Sequence, residues 1–371
     1  MARKHLISFI SALSIVLASV SCVQSQVFHI PSTIQDGTAQ AQFTSCETGL
    51  DAPKVRPINE SAFDWWYYDV ASADPSDLSS VVVTFFTSSQ PAFPFLDPAD
   101  TVTIANLWVL FPNGTLWAAA ADGDGATVIA DGKTSSGMWL GMGFSWTSHH
   151  SSGYHIEINV LDVDVTGTIT FPPVRAGQNL EVGPHVGWVN TIPDAAAVVS
   201  LNIGGTLLAF AGTGYHNKNW SDQVFAAHVA SWYWGHGRVG PYSIVWFDFL
   251  DKTGTESVSA YVAKDGKIVA ASCTLGSITV RPTGQNATYP PVLSTPNPTG
   301  YHIAIDLGEE GTLAVDVTVL TTLITVNPEY ARSIGNVSGT LMPASGAPTM
   351  GLTGMALFMT VLWFQGPSPN F

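Results

Sequence analysis

Three aromatic segments of the chain carry most of the residue types that could do chemistry. In the first, residues 63–69 read FDWWYYD, and on a strand Asp64, Trp66 and Tyr68 would share one face. A buried carboxylate needs partners, so Asp64 beside this aromatic area is either a ligand contact or a member of a satisfied polar network. The segment therefore predicts a pocket wall or, alternatively, aromatic core packing.

The second segment, residues 212–222, reads GTGYHNKNWSD and follows the apolar strand predicted at 206–211. It places His216, Asn217, Asn219 and Trp220 within five positions of one another. Many hydrogen-bonding groups at the end of a buried strand predict the polar floor of a pocket. A polar loop that joins two domains is the alternative.

The third segment, residues 231–251, contains Trp232, Trp234, His236, Arg238 and Trp246. Arginine and histidine among tryptophans can hydrogen-bond a ligand carbonyl while the rings supply apolar contact. The segment also spells G-x-G-x-x-G at residues 235–240. A dinucleotide site needs a helix after that turn, whereas a proline and a β-rich run follow here, so we expect no nucleotide cofactor.

The elements that must position these segments are predicted to be strands. No segment keeps helical periodicity for more than two turns, and short β-branched and aromatic runs alternate with Gly, Pro, Asn and Asp. Examples of predicted strands are 80–88, 101–111, 154–165, 243–250, 257–262 and 311–319. Strands at this spacing predict an all-β fold of the sandwich or barrel type.

Composition excludes several classes of function. Hydrophobic residues make up 46% of the chain and charged residues 11%, which requires extensive burial. A formal net charge of −15 repels phosphate backbones, so we expect no nucleic-acid partner. The sequence has no nucleophile elbow, HExxH or Walker motif. His149, His150 and His155 lack acidic or cysteine partners at useful spacing, so we expect no metal.

Residues 1–25 have the pattern of a signal peptide, with a basic start, an apolar run and a small-residue cleavage site. We therefore expect the secretory pathway, as a lumenal, vesicular or secreted protein, and no stable membrane insertion. A retained membrane anchor is the alternative. The apolar stretch at 350–364 is interpreted as a final strand that closes a barrel, with a lipid-anchor signal as the alternative.

An oxidising compartment would favour one disulfide. If Cys22 leaves with the signal peptide, Cys46 and Cys273 are the only possible intrachain pair, with two buried thiols as the alternative. The predicted glycosylation sites are the sequons at Asn59, Asn113, Asn286 and Asn336. A fifth sequon, at Asn219, is not expected to carry a glycan if its segment is buried.

The three segments together resemble the fungal lipocalin-like Diels–Alderase family and its relatives, the carotenoid hydratases of the hydroxyneurosporene synthase type. The resemblance rests on FDWWYYD, GYHNKNW and WYWGHGRVGPYS in this order. It implies an N-terminal β-sandwich domain at 26–222, a C-terminal lipocalin-like β-barrel domain at 223–371 and a ligand pocket between them. It also implies catalysis without cofactor or metal. Relatives often carry Asp and Gly where this chain has Asn217 and Ser221, which weakens the case for hydratase-type acid chemistry.

The resemblance further implies a pericyclase that catalyses a Diels–Alder or hetero-Diels–Alder cycloaddition on small hydrophobic substrates. In having a signal peptide and sequons, the chain resembles the branch of the family that couples a tropolone quinone methide with a humulene-type sesquiterpene. Three alternatives stay open. They are an intramolecular Diels–Alderase that forms a decalin, an isoprenoid hydratase with Asp64 or His216 as the acid, and a non-catalytic lipocalin-like carrier.

From the segments and the resemblance together, we predict Tyr68, His216 and Arg238 as catalytic residues. The predicted substrate-binding residues are Asp64, Trp66, Asn217, Asn219, Trp220, Trp232, Trp234, His236 and Trp246. The sequence does not indicate an oligomeric state.

Overall fold

The computed structural model describes residues 25–44, 49–74, 76–173, 181–292, 294–326 and 329–363. The predicted signal peptide, up to residue 24, and Cys46 of the predicted disulfide lie outside the described residues. Cys273, the other predicted disulfide partner, is exposed just after a strand in the second half of the chain.

Nearly all of the regular structure is β, which confirms the all-β prediction. The strands are β1 Gln26–Pro31, β2 Gln40–Ala41, β3 Val55–Arg56, β4 Phe63–Ser72, β5 Ser80–Ser88, β6 Thr103–Leu110, β7 Leu116–Asp122, β8 Gly125–Ala130, β9 Thr134–Trp139, β10 Phe144–His149, β11 Gly153–Val160, β12 Val165–Phe171, β13 Gly187–Ile203, β14 Thr206–Ser221, β15 Val229–Val239, β16 Tyr242–Asp251, β17 Glu256–Lys264, β18 Lys267–Ser272, β19 Ile278–Thr283, β20 Gly300–Asp306, β21 Thr312–Val326, β22 Tyr330–Met342 and β23 Thr349–Leu362. The helices are α1 Phe225–His228 and the 3-10 turns Leu161–Val163 and Gly308–Glu310. Within the described ranges, no helix has the length and apolarity needed to cross a bilayer.

The first sheet has twelve strands in the order β1-β8-β9-β10-β11-β12-β13-β14-β4-β5-β6-β7, and neighbouring strands are antiparallel. It curls so that its two arms pack against each other like the layers of a sandwich. Trp66 of β4 meets Trp139 of β9 with ring centroids 5.3 Å apart, and Phe85 of β5 lies 6.2 Å from Phe144 of β10. The buried space between the arms is the first hydrophobic core.

The second sheet has nine strands in the order β18-β17-β16-β15-β23-β22-β21-β20-β19. It curls until β19 packs against β16 and β17, which gives the lipocalin-like barrel its own interior. Trp246, Tyr301 and Phe358 fill that interior. The apolar C-terminal stretch forms β23, so its interpretation as a strand is confirmed, and β23 lies in the sheet between β15 and β22.

A third hydrophobic cluster joins the outer face of β4, β5 and β14 to the outer face of β15, β16 and β22. Strand β4 is therefore covered on both sides, and all ten of its residues are buried. A strand covered on both sides needs apolar residues at odd and even positions alike. This explains why the FDWWYYD run has no polar-apolar alternation.

Candidate active site between the two sheets

A cavity lies between the two sheets. Aromatic side chains form most of its wall. Trp65 and Tyr67 come from β4, and Trp232 and Trp234 come from β15. The loop after β5 adds Phe93 and Phe95, and α1 adds Phe225. Large flat rings on opposite walls suit a planar hydrophobic ligand.

Strand alternation decides which residues of β4 and β14 reach this cavity. In the antiparallel register, Tyr67 lies opposite Asn217 and Trp65 lies opposite Asn219, and all four side chains line the cavity. Directly paired residues on adjacent strands point to the same face. The cavity thus has a wall of two aromatic rings and two amides.

Tyr68 and His216, two of the predicted catalytic residues, point to the opposite face, into the first hydrophobic core. Their rings stack with centroids 3.9 Å apart. His216 Nδ1 lies 2.9 Å from the carbonyl oxygen of Tyr67, and Nε2 lies 2.9 Å from Asp51 Oδ1. The structure therefore places this pair away from the cavity, because adjacent residues on a strand face opposite sides.

Asp64, Trp66 and Trp220, which were predicted to bind substrate, lie on the same core side as Tyr68. Asp64 accepts hydrogen bonds from the backbone N–H of Lys54 at 2.7 Å and from the ammonium of Lys218. That ammonium also lies 3.6 Å above the ring of Trp66. Burial lowers the pKa of Lys218 to about 8 despite the neighbouring carboxylate. Asp64 is therefore a member of a hydrogen-bonded polar network in the core, which was the alternative to a ligand contact.

Arg238 and Trp246 also lie away from the cavity. Arg238 is the last long side chain on its face of β15, and it forms a bidentate pair with Asp194 of β13 at 2.8 and 3.0 Å. Ser243 donates to the same carboxylate at 2.8 Å. This cluster links the two halves at the surface. Trp246 lies inside the barrel, because the neighbouring Phe247 takes the outward position.

Four of the predicted binding residues do line the cavity, namely Asn217, Asn219, Trp232 and Trp234. The buried Asn219 fulfils the condition under which its sequon was not expected to carry a glycan. His236 lies behind the cavity wall. Its Nε2 donates to both oxygens of Asp69 at 2.9 and 3.1 Å, and its ring stacks on Tyr215 at 4.6 Å.

Sequence reasoning missed most of the cavity wall and, among its polar groups and their partners, Tyr67, Asp69 and Arg332. Tyr67 donates a hydrogen bond to Asp69 Oδ2 at 2.6 Å, and both lie on the cavity side of β4. Arg332 of β22 is 6% exposed and lines the cavity with its guanidinium 4.6 Å from the centre of the Tyr67 ring. Tyr67 and Asp69 belong to the first aromatic segment, so only their face was misjudged. For Arg332 the available signal was a lone basic residue in an apolar strand of a chain with 13 basic residues.

Electrostatics keep the phenol of Tyr67 neutral. Burial raises the pKa of Tyr67 well above its usual value, the nearby Arg332 opposes that shift and Asp69 adds to it. A neutral phenol remains the donor to the Asp69 carboxylate. Asp69 thus receives one hydrogen bond from Tyr67 and a second donor from His236, which fixes its position behind the cavity wall.

Several polar atoms in the cavity wall have no hydrogen-bond partner among the described residues. They are Arg332 Nε and Nη1, Asn217 Oδ1, Asn106 Oδ1, Thr84 Oγ1 and Trp232 Nε1. Buried polar groups in proteins are nearly always paired, and each unpaired one needs an explanation. The cavity wall therefore offers unpartnered hydrogen-bond donors and acceptors to a largely apolar ligand that carries a few polar atoms.

The glycine-rich run at 235–240 forms the end of β15 and the turn to β16, with no helix after it. His149, one of the three histidines considered as metal ligands, forms a hydrogen bond between its Nδ1 and the Oγ of Ser151 at 2.8 Å. Over the part of the chain that the structure describes, no three His, Cys, Asp or Glu side chains converge as a metal site would require.

Comparisons with known proteins agree with this architecture. The crystal structure of CghA with Sch210972 superposes with a TM-score of 0.74 at 18% identity, and the match covers 92% of this chain and 99% of CghA. That likeness concerns the fold. The quinolone epoxide rearrangement protein penF of Penicillium thymicola is 33% identical over 331 residues, which is 85% of this chain and 91% of penF.

A second curated relative, the quinolone epoxide rearrangement protein asqO of Emericella nidulans, is 32% identical over 310 residues, covering 80% of this chain and 84% of asqO. The family model described as Diels-Alderase-like matches residues 26–281, which include all three aromatic segments and both walls contributed by β4 and β15. The chain therefore belongs to the Diels-Alderase-like family.

Proposed function

We propose that this protein is a cofactor-independent pericyclase that binds an unsaturated, oxygen-bearing substrate in the cavity between its two sheets. The observation that carries the proposal is the set of unpartnered donors and acceptors in an aromatic wall. Membership of the Diels-Alderase-like family supports a cyclisation or rearrangement as the reaction. A non-catalytic carrier would share the apolar cavity but would not need donors aimed at one ligand atom.

Two physical effects would supply the rate enhancement. Opposed aromatic walls would hold the reacting ends of the substrate in one stacked pose, and good orientation alone can recover on the order of 7–11 kcal/mol of the barrier. The Nε–H and Nη1–H groups of Arg332 would hydrogen-bond a carbonyl conjugated with the reacting system. A donor aimed at developing negative charge contributes about 3 kcal/mol in a dry site.

For the substrates, we propose the coupling of a tropolone quinone methide with a humulene-type sesquiterpene. The quinone methide offers a flat ring for Trp232 and Trp234 and a carbonyl oxygen for Arg332. The alkene would lie against the aliphatic wall formed by Ile324, Met359 and Val361. No covalent help from the protein is required for such a cycloaddition, which agrees with the absence of an activated nucleophile from the wall residues described above.

A second candidate is the rearrangement of a quinolone epoxide. It is favoured by the names of penF and asqO, which match most of this chain at 33% and 32% identity. A quinolone also combines a flat ring with a carbonyl oxygen, so the same wall could receive it. The two candidates therefore differ in substrate and share the way in which the site would hold it.

The test is to incubate the purified protein with each substrate and to follow product formation and stereochemistry. We expect one enantiomer of the coupled product, formed faster than in buffer alone. Coupling at the background rate to a racemate would contradict the pericyclase proposal and leave a carrier. If the protein turns over only the quinolone epoxide, the second candidate is correct. If deuterium from heavy water is incorporated at a carbon of the product, the protein is a hydratase.

We also propose that the protein matures in the secretory pathway, with a disulfide between Cys46 and Cys273. Asn113 is exposed in the turn between β6 and β7 and is well placed to carry a glycan. Mass spectrometry of the natively expressed protein, before and after glycosidase treatment, tests the glycans. The same spectra under non-reducing conditions test the disulfide, and an unmodified chain that begins at Met1 would contradict this localisation.

A further inference from the structure

Arg332 is a buried cation whose surroundings leave it incompletely satisfied. Its Nη2 contacts the sulfur of Met359 at 3.9 Å, and its guanidinium lies 4.6 Å from the Tyr67 ring centre and 5.5 Å from that of Tyr330. Both Nε and Nη1 lack a hydrogen-bond partner. Arginine stays charged at any accessible pH, so burial cannot be relieved by losing the proton.

Other arginines of the chain show what a paired guanidinium looks like here. Arg238 holds Asp194 at 2.8 Å, and Arg281 holds Glu256 at 2.9 Å. In the described residues no carboxylate forms such an ion pair with Arg332. Removing a charge from water without pairing it is expensive, and the two unpartnered donors of Arg332 can be paired by a ligand in the cavity.

Asp69 is the carboxylate that acts on Arg332 electrostatically, and it already has other hydrogen-bond partners. Its two oxygens receive the phenol of Tyr67 and the ring N–H of His236. The groups that face Arg332 directly are two phenols, Tyr67 and Tyr330, and burial raises the pKa of each above its usual value. Asp69 therefore acts on Arg332 electrostatically without a hydrogen bond to it, and the Nε–H and Nη1–H donors remain for a ligand.

The rest of the wall indicates what kind of anion fits. The aromatic faces of Trp65 and Trp234 can stack on a flat ring whose negative charge is spread out, whereas a compact carboxylate or phosphate would not use them. Asn106 and Asn217 each offer an unpartnered amide oxygen, which accepts a hydrogen bond from an N–H or O–H of the ligand. A conjugated ring with an acidic enol oxygen and a second polar group combines these features.

The geometry points to an oxyanion subsite at Arg332, in which the substrate is bound as the conjugate base of a conjugated cyclic enol, such as the tropolone from which the proposed quinone methide is derived. This inference rests on the proposed function for the location of the substrate but adds its charge state. Nε–H and Nη1–H donate to the enolate oxygen, and the delocalised ring lies against the indoles. Charge-assisted hydrogen bonds of this kind are roughly twice as strong as neutral ones.

The test compares tropolone with its O-methyl ether as probes of the full-length mature protein. Binding is followed by quenching of the tryptophan fluorescence at several pH values. We expect tropolone to bind about tenfold or more tightly than the ether once it is ionised, and the ether to bind with little pH dependence. Equal or tighter binding of the ether by the wild-type protein overturns the inference without recourse to any variant.

The matched variants are R332M, which keeps the length and apolar volume of the side chain, and R238M, which removes a surface arginine that pairs with Asp194. R332M should bind tropolone and its ether alike, whereas R238M should keep the wild-type preference. Circular dichroism and a thermal melt show whether each variant is folded. If R332M does not fold, R332K replaces it, and we expect R332K to keep part of the preference for ionised tropolone. A preference that survives in folded R332M overturns the inference.

Failure of the proposed function gives a different result. If the wild-type protein accelerates a cyclisation but shows no preference for the ionised probe, only the oxyanion subsite is lost. If the preference is present and is abolished by R332M, while no substrate is turned over faster than in buffer, the subsite stands and the pericyclase proposal is lost.

Discussion

Tyr67 and Tyr68 are adjacent in sequence and have opposite roles in the structure. Tyr67 faces the cavity and donates to Asp69, whereas Tyr68 faces the first core and its hydroxyl has no hydrogen-bond partner in the described structure. Removing the hydroxyl of each tyrosine with phenylalanine keeps both rings. The pair therefore separates the chemistry of the cavity from the packing of the core.

We predict that Tyr67→Phe lowers turnover about tenfold and Tyr68→Phe leaves it near the wild-type value. The first substitution removes a hydrogen bond to a buried carboxylate, an interaction with a typical worth of about 1.5–3 kcal/mol, and frees Asp69 to attract Arg332. The second removes an unpartnered hydroxyl, which should leave stability unchanged or raise it slightly. Steady-state rates and thermal melts of both variants check this, and a larger loss of turnover in Tyr68→Phe would restore its predicted catalytic role.

The sequence identified the segments that form the cavity wall, and four of the twelve predicted site residues within them line the cavity. Alternation along a strand places residues in two sets, yet it cannot say which set faces which side when both sides are buried. Asp64, Trp66 and Tyr68 were selected because a carboxylate and a phenol share their face, and the structure places that face in the first core. Arg332 reaches the cavity from β22, more than 250 residues after β4, and no local pattern records that contact.

At the scale of elements, the glycine-rich run shows how a motif can have a structural cause. Gly240 adopts φ +57° in the tight turn between β15 and β16, a conformation that favours glycine. Gly235 leaves room for the indole of Trp246, since a Cβ there would lie 2.2 Å from a ring carbon. The hairpin therefore needs its glycines for backbone and packing reasons, without any phosphate to bind.

We predict that Gly235→Ala destabilises the protein by about 3 kcal/mol, because it overpacks the contact between β15 and Trp246. Gly205→Ala is the control. Gly205 has φ +78° with open space around it, so alanine there should cost only about 1 kcal/mol of backbone strain. Urea unfolding of the two variants measures both free energies, and equal losses would show that steric contact at β15 is not the cause.

A second element-scale feature is a carboxyl pair held between β16, β17 and β19. Arg281 of β19 donates to Asp248 at 3.0 Å and to Glu256 at 2.9 Å, and the hydroxyl oxygen of Tyr289 lies within hydrogen-bond distance of both, at 3.0 and 2.8 Å. Burial, together with the charge of Glu256, raises the pKa of Asp248 to about 8. The folded barrel thus keeps a proton on Asp248 that the unfolded chain releases near its ordinary value of 3.8.

This difference predicts a pH dependence of stability. Because the folded state binds more protons between about pH 4 and pH 8, the free energy of unfolding contributed by Asp248 falls as the pH rises through that range. Asp248→Asn keeps a neutral, hydrogen-bonding group at every pH, so its melting temperature should exceed that of the wild type increasingly toward pH 8. A melting-temperature difference that is the same at pH 5 and pH 8, measured by differential scanning fluorimetry, would contradict the assignment.

At the scale of the whole molecule, the two sheets share a hydrophobic cluster that neither can cover alone. Trp65 and Phe86 of the first sheet and Trp232 and Phe247 of the second belong to it. Exposing such a cluster costs apolar burial at about 25 cal/mol per Å², so separated halves would each carry a large apolar face. The cavity between the two sheets lies within this shared cluster.

We therefore predict that the protein unfolds in one cooperative transition. Fluorescence of its 12 tryptophans and far-ultraviolet circular dichroism should give the same midpoint in urea. A bound substrate should raise that midpoint for both signals together, since it contacts both halves. Two separated transitions, or a ligand effect on only one signal, would show that the halves unfold independently.

The all-β class and the aromatic segments were predictable because turn residues and β-branched runs are local signals. The curling of a single twelve-stranded sheet was not, because the pairing of β14 with β4 joins residues that are 140 or more positions apart. Local patterns specify strands, whereas their order in a sheet depends on which long-range pairs cover the most apolar surface.

The two-sided burial of β4 and β14 has a consequence for how new specificities can arise. Each strand carries two interleaved sets of positions, of which one touches the ligand and the other holds the first sheet together. Substitutions at Trp65, Tyr67, Asn217 and Asn219 can reshape the cavity while the interleaved set stays constant. A library aimed at new substrates should vary these four positions alone, and an insertion or deletion of one residue in either strand would exchange the two sets and remove both the cavity and the core.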